Sequence, residues 1–148
     1  MITKLIRVTI LVRDYDEALA FYTGKLGFEK RVDVEVGPGM RWVTVAPAQQ
    51  QEVEIVLQQP HPAFHGEQQA RAMRARIGQQ PTWVLATGDC QREYEELQGR
   101  GVIFTAAPQQ QPYGVEAVFQ DLYGNSYSLL QPAPMPDMPD KPDLPDQG

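Results

Sequence analysis

Two charged side chains, Arg7 and Glu54, define the chemistry open to this chain. Both fall on the less apolar faces of alternating segments, as do Thr9, Gln58, Thr82, Ser126 and Ser128, and Glu116 and Gln120 do the same within residues 115–120. If curved sheets turn those faces inward, the side chains converge on a groove. There Arg7 and Glu54 either form a structural ion pair or leave Arg7 to grip a ligand carboxylate or phosphate with its planar fork. Glu54 could also serve as a general base, although a neighbouring cation would lower its pKa and weaken it in that role. Trp42, Tyr113 and Tyr123 sit at strand edges and loops, where they could stack on a planar ligand, whereas Trp83 shares the face of Leu85 and reads as core. His61 and His65 have the i, i+4 spacing of a helical metal chelate, but Pro62 lies between them and argues for loop histidines. Cys90 falls on an inward helical stripe and reads as a buried thiol.

These residues need a scaffold, and the periodicity supplies one. Residues 5–12 alternate, with Ile6, Val8, Ile10 and Val12 on one face. Asp14 and Glu17 then form a capping pair for a helix whose stripe is Ala18, Leu19, Tyr22 and Leu26. Strands follow over residues 41–45 and 53–58, and Pro60-His-Pro62 stops the sheet. Residues 66–77 predict a linker helix with Ala70, Met73 and Ile77 inward and a solvated basic face of Arg71, Arg74 and Arg76. A second set opens with a strand over 82–87. Next comes a helix capped by Asp89 with Cys90, Tyr94 and Leu97 inward, then strands over 102–105 and 115–120. It ends in a hairpin whose turn is Asp121-Leu-Tyr-Gly-Asn125, where Gly124 and Asn125 both tolerate positive φ. Ile55-Val-Leu-Gln-Gln-Pro60 echoes Tyr127-Ser-Leu-Leu-Gln-Pro132, and the strand that runs into Asp14 echoes the one that runs into Asp89. The chain therefore reads as two copies of one βαβββ unit.

At 148 residues the chain suits one domain made of two half-size modules. Module 1 covers about residues 1–60, a linker helix lies within 61–80, and module 2 covers about 81–132. The single cysteine excludes an internal disulfide framework, and no export signal or long apolar run is present, so a cytoplasmic protein is expected. A net charge of −6 with no basic run argues against nucleic acid, and no segment suits a membrane. Residues 133–148 carry half of that charge and place Pro136, Pro139, Pro142 and Pro145 every third residue, a spacing that matches polyproline II. Its Met135, Met138 and Leu144 edge could pack on a neighbouring subunit, and a disordered tail is the alternative.

The paired units, together with Val12-Arg-Asp14, Ala18-Leu-Ala-Phe-Tyr22, Leu26-Gly-Phe28 and the Asp121-x-x-Gly-Asn125 turn, resemble the vicinal oxygen chelate superfamily. That group contains glyoxalase I, extradiol dioxygenases, fosfomycin-modifying enzymes and bleomycin-resistance proteins. The resemblance covers residues 4–132 and implies an α+β fold in which two βαβββ modules form curved mixed sheets around a groove. Enzymes of the group hold a divalent metal with four side chains, usually His or Glu. Carried over by strand register, those positions are Arg7, Val56, Thr82 and Ser128 here, and none is a first-choice ligand. Only Glu54 appears two residues away on the same faces.

The resemblance thus implies a small-molecule binding protein without metal or other cofactor, similar to the drug-sequestering members. It would be a homodimer whose grooves form near or across the subunit interface. The expected ligand-binding residues are Arg7, Thr9, Trp42, Glu54, Val56, Thr82, Tyr113 and Ser128. The alternative is a glyoxalase-like lyase or isomerase, or an extradiol-type dioxygenase, with an atypical or lost metal site. A third reading is a structural dimer whose groove is filled by side chains.

Overall fold

The computed structural model describes residues 1–134; the Pro/Asp-rich expectation for the tail lies outside the described residues apart from Ala133 and Pro134. Thirteen elements follow in order. The first repeat is β1 (Arg7–Leu11), α1 (Tyr15–Leu19) running on as a π-helical stretch (Ala20–Lys25), β2 (Glu29–Gly37), β3 (Met40–Ala46) and β4 (Glu54–Gln58). A link of α2 (Pro62–His65) and α3 (Glu67–Ala75) leads to the second repeat. This comprises β5 (Trp83–Ala86), α4 (Cys90–Gly99), β6 (Ile103–Gln111), β7 (Gly114–Gln120) and β8 (Ser126–Pro132).

Each repeat folds into a four-stranded sheet of the same topology, β1-β4-β3-β2 (sheet A) and β5-β8-β7-β6 (sheet B). In both, the first and last strands pair in parallel and the others are antiparallel. The internal repeat seen in the sequence is therefore real, and it even preserves register: Thr9 faces Val56 as Val84 faces Ser128.

Alternation decides which face is buried. Ile10, Val12, Val43, Val45, Ile55 and Leu57 of sheet A join Ala117, Phe119, Tyr127 and Leu129 of sheet B in a single core. Tyr22, Cys90 and Leu97 close it from the helices. Cys90 is fully buried, and burial pushes its thiol up, which suits the structural role read from its stripe. Asp14 caps α1 by accepting from the Glu17 amide at 2.8 Å, and Asp89 caps α4 by accepting from the Arg92 amide at 3.1 Å.

Three expectations need correction. Strand β2 was not legible, because Glu29-Lys-Arg-Val-Asp-Val-Glu is an edge strand with charges on both faces. Strand β6 runs on to Gln111, six residues past the end of the strand expected over 102–105; it is also an edge strand, and it absorbs Pro108 at a register shift between Ala106 and Gln109. In the 121–125 turn only Gly124 takes positive φ (90°), so Asn125 acts through its side chain instead. Its Nδ2 donates to Asp121 at 2.8 Å, and its Oδ1 accepts from the Gln80 amide at 3.2 Å. This turn is the clasp between the modules. Asp121 also accepts from the Tyr22 hydroxyl at 2.8 Å, and Tyr22 lies 2.7 Å from the Tyr127 hydroxyl.

Candidate functional site

The faces turned away from the core carry the side chains singled out by the sequence. On sheet A, strand pairing places Thr9, Val56 and Thr44 in one row, with Arg7 opposite Glu54 and Trp42 two residues from Thr44. On sheet B, Val84, Ser128 and Val118 form the matching row. The expected residues thus divide in two: Arg7, Thr9, Trp42, Glu54 and Val56 on sheet A, and Tyr113 and Ser128 on sheet B. Exposed Thr82 immediately precedes β5.

Arg7 and Glu54 do not form the ion pair that was one reading of their register. The Arg7 guanidinium instead lies 5.7 Å from the centre of the Trp42 ring, a cation–π arrangement. Glu54 keeps Oε1 buried without a hydrogen-bond partner among the described residues, and so does the Oγ1 of fully buried Thr44. Buried polar atoms in proteins are nearly always satisfied, and on this face the described residues supply no partner for these two.

Next to them is a small cavity of about 80 Å³ lined by Tyr15, Met40, Trp42, Val56, Gln58 and Phe64. Trp42 is 38% exposed and Phe64 66%, so two aromatic rings border an open apolar recess. Phe64 was missed because nothing in the sequence places the one-turn helix α2 against sheet A, and Met40 because β3 begins one residue before the strand expected over 41–45.

That helix forms across Pro62 because proline is tolerated in a first turn, where its missing N–H costs nothing. His61 caps it, and the His61 amide donates to His65 Nδ1 at 3.0 Å. A neutral His65 therefore carries its proton on Nε2, which lies 2.9 Å from the Gln58 amide. Two N–H groups cannot share a hydrogen bond, so the Gln58 amide, whose nitrogen stands at that distance, is assigned in the flipped orientation with its oxygen toward His65, which leaves its NH₂ as a donor at the cavity wall. The two histidines organise this wall and do not form a chelate with each other.

Sheet B is arranged differently. The Tyr113 hydroxyl donates to Glu116 Oε1 at 2.8 Å, and Ser128 Oγ donates to Glu116 Oε2 at 2.6 Å. The bond to the carboxylate raises the Tyr113 pKa. Tyr123, also considered for stacking, is used elsewhere: its hydroxyl meets the Asp14 carbonyl and Glu17, each at 3.3 Å, beneath the Arg13 guanidinium.

The donor set does not fit a divalent metal. At the four carried-over positions stand a guanidinium, a hydrocarbon and two neutral hydroxyls, and Ser128 is already committed to Glu116. Among the described residues no three His, Cys, Asp or Glu side chains are grouped to hold an ion. None of the described helices is long and apolar enough to cross a membrane.

A profile of the Glyoxalase/Bleomycin resistance protein/Dioxygenase superfamily matches residues 4–129. The chain is 38% identical over 130 residues to the uncharacterized protein YurT of Bacillus subtilis (strain 168), covering 86% of this chain and 98% of YurT. Among solved structures it is similar to UcmS2, with 42% identity, a TM-score of 0.78, and coverage of 88% of this chain and 98% of that one. It is also similar to TnmS3, an antibiotic binding protein from Streptomyces sp. CB03234, with 29% identity, a TM-score of 0.72, and coverage of 89% and 98%.

Proposed function

Given that the chain belongs to the Glyoxalase/Bleomycin resistance protein/Dioxygenase superfamily, we propose that it binds a planar small molecule on the outer face of sheet A without a metal ion. The likeness to an antibiotic binding protein supports sequestration of a drug or metabolite. The observation that carries the reading is the aromatic recess at Trp42 and Phe64 beside the unpartnered Thr44 Oγ1 and Glu54 Oε1. A flat ligand stacks on Trp42 in the recess, a donor on it meets Glu54 or Thr44, and Gln58 supplies a hydrogen bond in return.

The groove is completed by a homodimer, with sheet A of one subunit facing sheet B of its partner. Support comes from apolar side chains left open on both outer faces: Val34 and Val36 on sheet A, Val84 and Ile103 on sheet B.

Elemental mass spectrometry on the purified protein, before and after incubation with Ni, Zn, Mn and Fe(II), tests the metal-free part. The reading predicts no stoichiometric ion and no rise in melting temperature. A bound ion that raises it overturns the reading.

One observation favours a second reading. Because Arg7 has turned onto Trp42, the cation that would have weakened Glu54 as a base is no longer paired with it. A metal-independent lyase or isomerase using Glu54 would then lose turnover in Glu54→Gln while still binding its substrate.

A further inference from the structure

The largest recess described lies away from both sheet faces. It encloses about 480 Å³ where the end of β1, the turn after β4 and helix α3 meet, and its lining includes Arg13, Gln59, His61, Arg74 and Ile77. Its size suits a small organic ligand.

Its charge is one-sided. No carboxylate lines it, although the chain carries a net charge of −6. The Arg74 side chain makes no ion pair or hydrogen bond among the described residues. Arg13 spends one nitrogen on Glu17 at 2.6 Å and has the rest of its fork available. The His61 Nδ1 accepts from the Ala63 amide at 3.2 Å, so its other ring nitrogen is a donor.

The adjoining recess has the opposite balance, three carboxylates to one arginine. Lined by Asp14, Asp33, Glu35 and Arg41, it shares Gln59 with the first. Its Arg41 is held by Asp33 at 2.8 Å and by Asp16 at 2.9 Å. Those carboxylates raise the Arg41 pKa, and the hydrogen bond from Arg41 lowers that of Asp33. The one cation there is held by two carboxylates, whereas in the Arg74 recess Arg13 has a single carboxylate partner, Glu17, and the Arg74 side chain has none among the described residues.

We propose that the Arg13–His61–Arg74 recess is a second binding site, selective for a small organic anion bearing one carboxylate or phosphate. The anion sits between the two arginine forks, and its apolar part rests on Pro60, Pro62 and Ile77. The basic face of α3, read from the sequence as merely solvated, contributes Arg74 to it. This site is separate from the Trp42 face and is independent of what binds there.

The test is calorimetric titration of the full-length protein with benzoate and phenyl phosphate, using benzyl alcohol and benzylamine as neutral and cationic controls. The anions are expected to saturate one site per chain, with affinity falling as salt is raised. Arg74→Glu is expected to weaken them by about tenfold or more. Arg74→Gln should weaken them less, and both variants should melt close to the parent because the exposed Arg74 side chain makes no ion pair or hydrogen bond among the described residues. Any of four results overturns the site: no saturable anion binding, equal binding of benzyl alcohol, unchanged affinity in both Arg74 variants, or a loss caused by Trp42→Ala instead.

Discussion

The two sheets share strand order and register, yet their outer faces are chemically different. Sheet B closes its polar groups on one another: Glu116 accepts from both Tyr113 and Ser128, and neither carboxylate oxygen is left over. Sheet A leaves Thr44 Oγ1 and Glu54 Oε1 buried and unpartnered beside an exposed indole. One backbone plan therefore carries a finished wall and an unfinished one. An unfinished polar face costs stability unless a ligand completes it, which is why ligand recognition is assigned to sheet A and a shaping role to sheet B.

The largest change comes from removing the support common to both faces. Asp121 accepts from the Tyr22 hydroxyl, the Tyr123 and Asn125 amides and Asn125 Nδ2, all at 2.8–2.9 Å. Asp121→Ala strands these donors and is expected to cost about 3 kcal/mol or more in urea denaturation, destabilising both modules together. Loss of one module alone would show that the clasp is not shared.

The same junction gives a pH signature. Burial, reinforced by Tyr127 and Asp121, raises the Tyr22 pKa; burial likewise raises Tyr127 and pushes Tyr123 from 10.0 to about 12. A raised folded-state pKa means the unfolded chain loses these protons first. Their stabilisation is thus intact below pH 10 and declines as pH climbs toward 12. Melting temperatures across that window should fall, and Tyr123→Phe should flatten part of the slope; a parent profile level to pH 12 would refute the buried hydroxyl network.

The next two substitutions separate the faces. In Glu116→Gln one of the two donors from Tyr113 and Ser128 loses its acceptor, costing about 1 kcal/mol in stability. Thr44→Val replaces an unsatisfied hydroxyl by a methyl of similar shape and should be neutral or stabilising by up to about 1 kcal/mol, read by urea midpoint. If Thr44→Val destabilises as Glu116→Gln does, the contrast between the sheets disappears.

How far the sequence carried this picture depended on periodicity. Strands with one buried face, such as Arg7–Leu11 and Ser126–Pro132, announced themselves by alternation, and the repeat followed from their echoes. Edge strand β2 and the part of β6 beyond Thr105 did not, since neither has a fully buried residue to impose alternation. Of the side chains proposed for binding, Glu54 and Gln58 were legible as a polar face and Trp42 as an edge aromatic, whereas Thr44 and Phe64 were not singled out. What escaped was their partnering: Arg7 choosing Trp42 over Glu54, and Phe64 reaching sheet A through a one-turn helix, both depend on packing between distant segments. Asn125 was found for the wrong reason, as a turn former when it is a clasp.

The most direct test of binding on sheet A is ligand titration by NMR with a panel of planar aromatic compounds in the presence of a chelator, comparing the parent with Trp42→Ala. The account predicts that a compound which binds the parent does so in chelator and loses about tenfold or more in affinity on removal of the indole, while the fold is unchanged. Binding that requires an added divalent metal, or that survives Trp42→Ala undiminished, would contradict it.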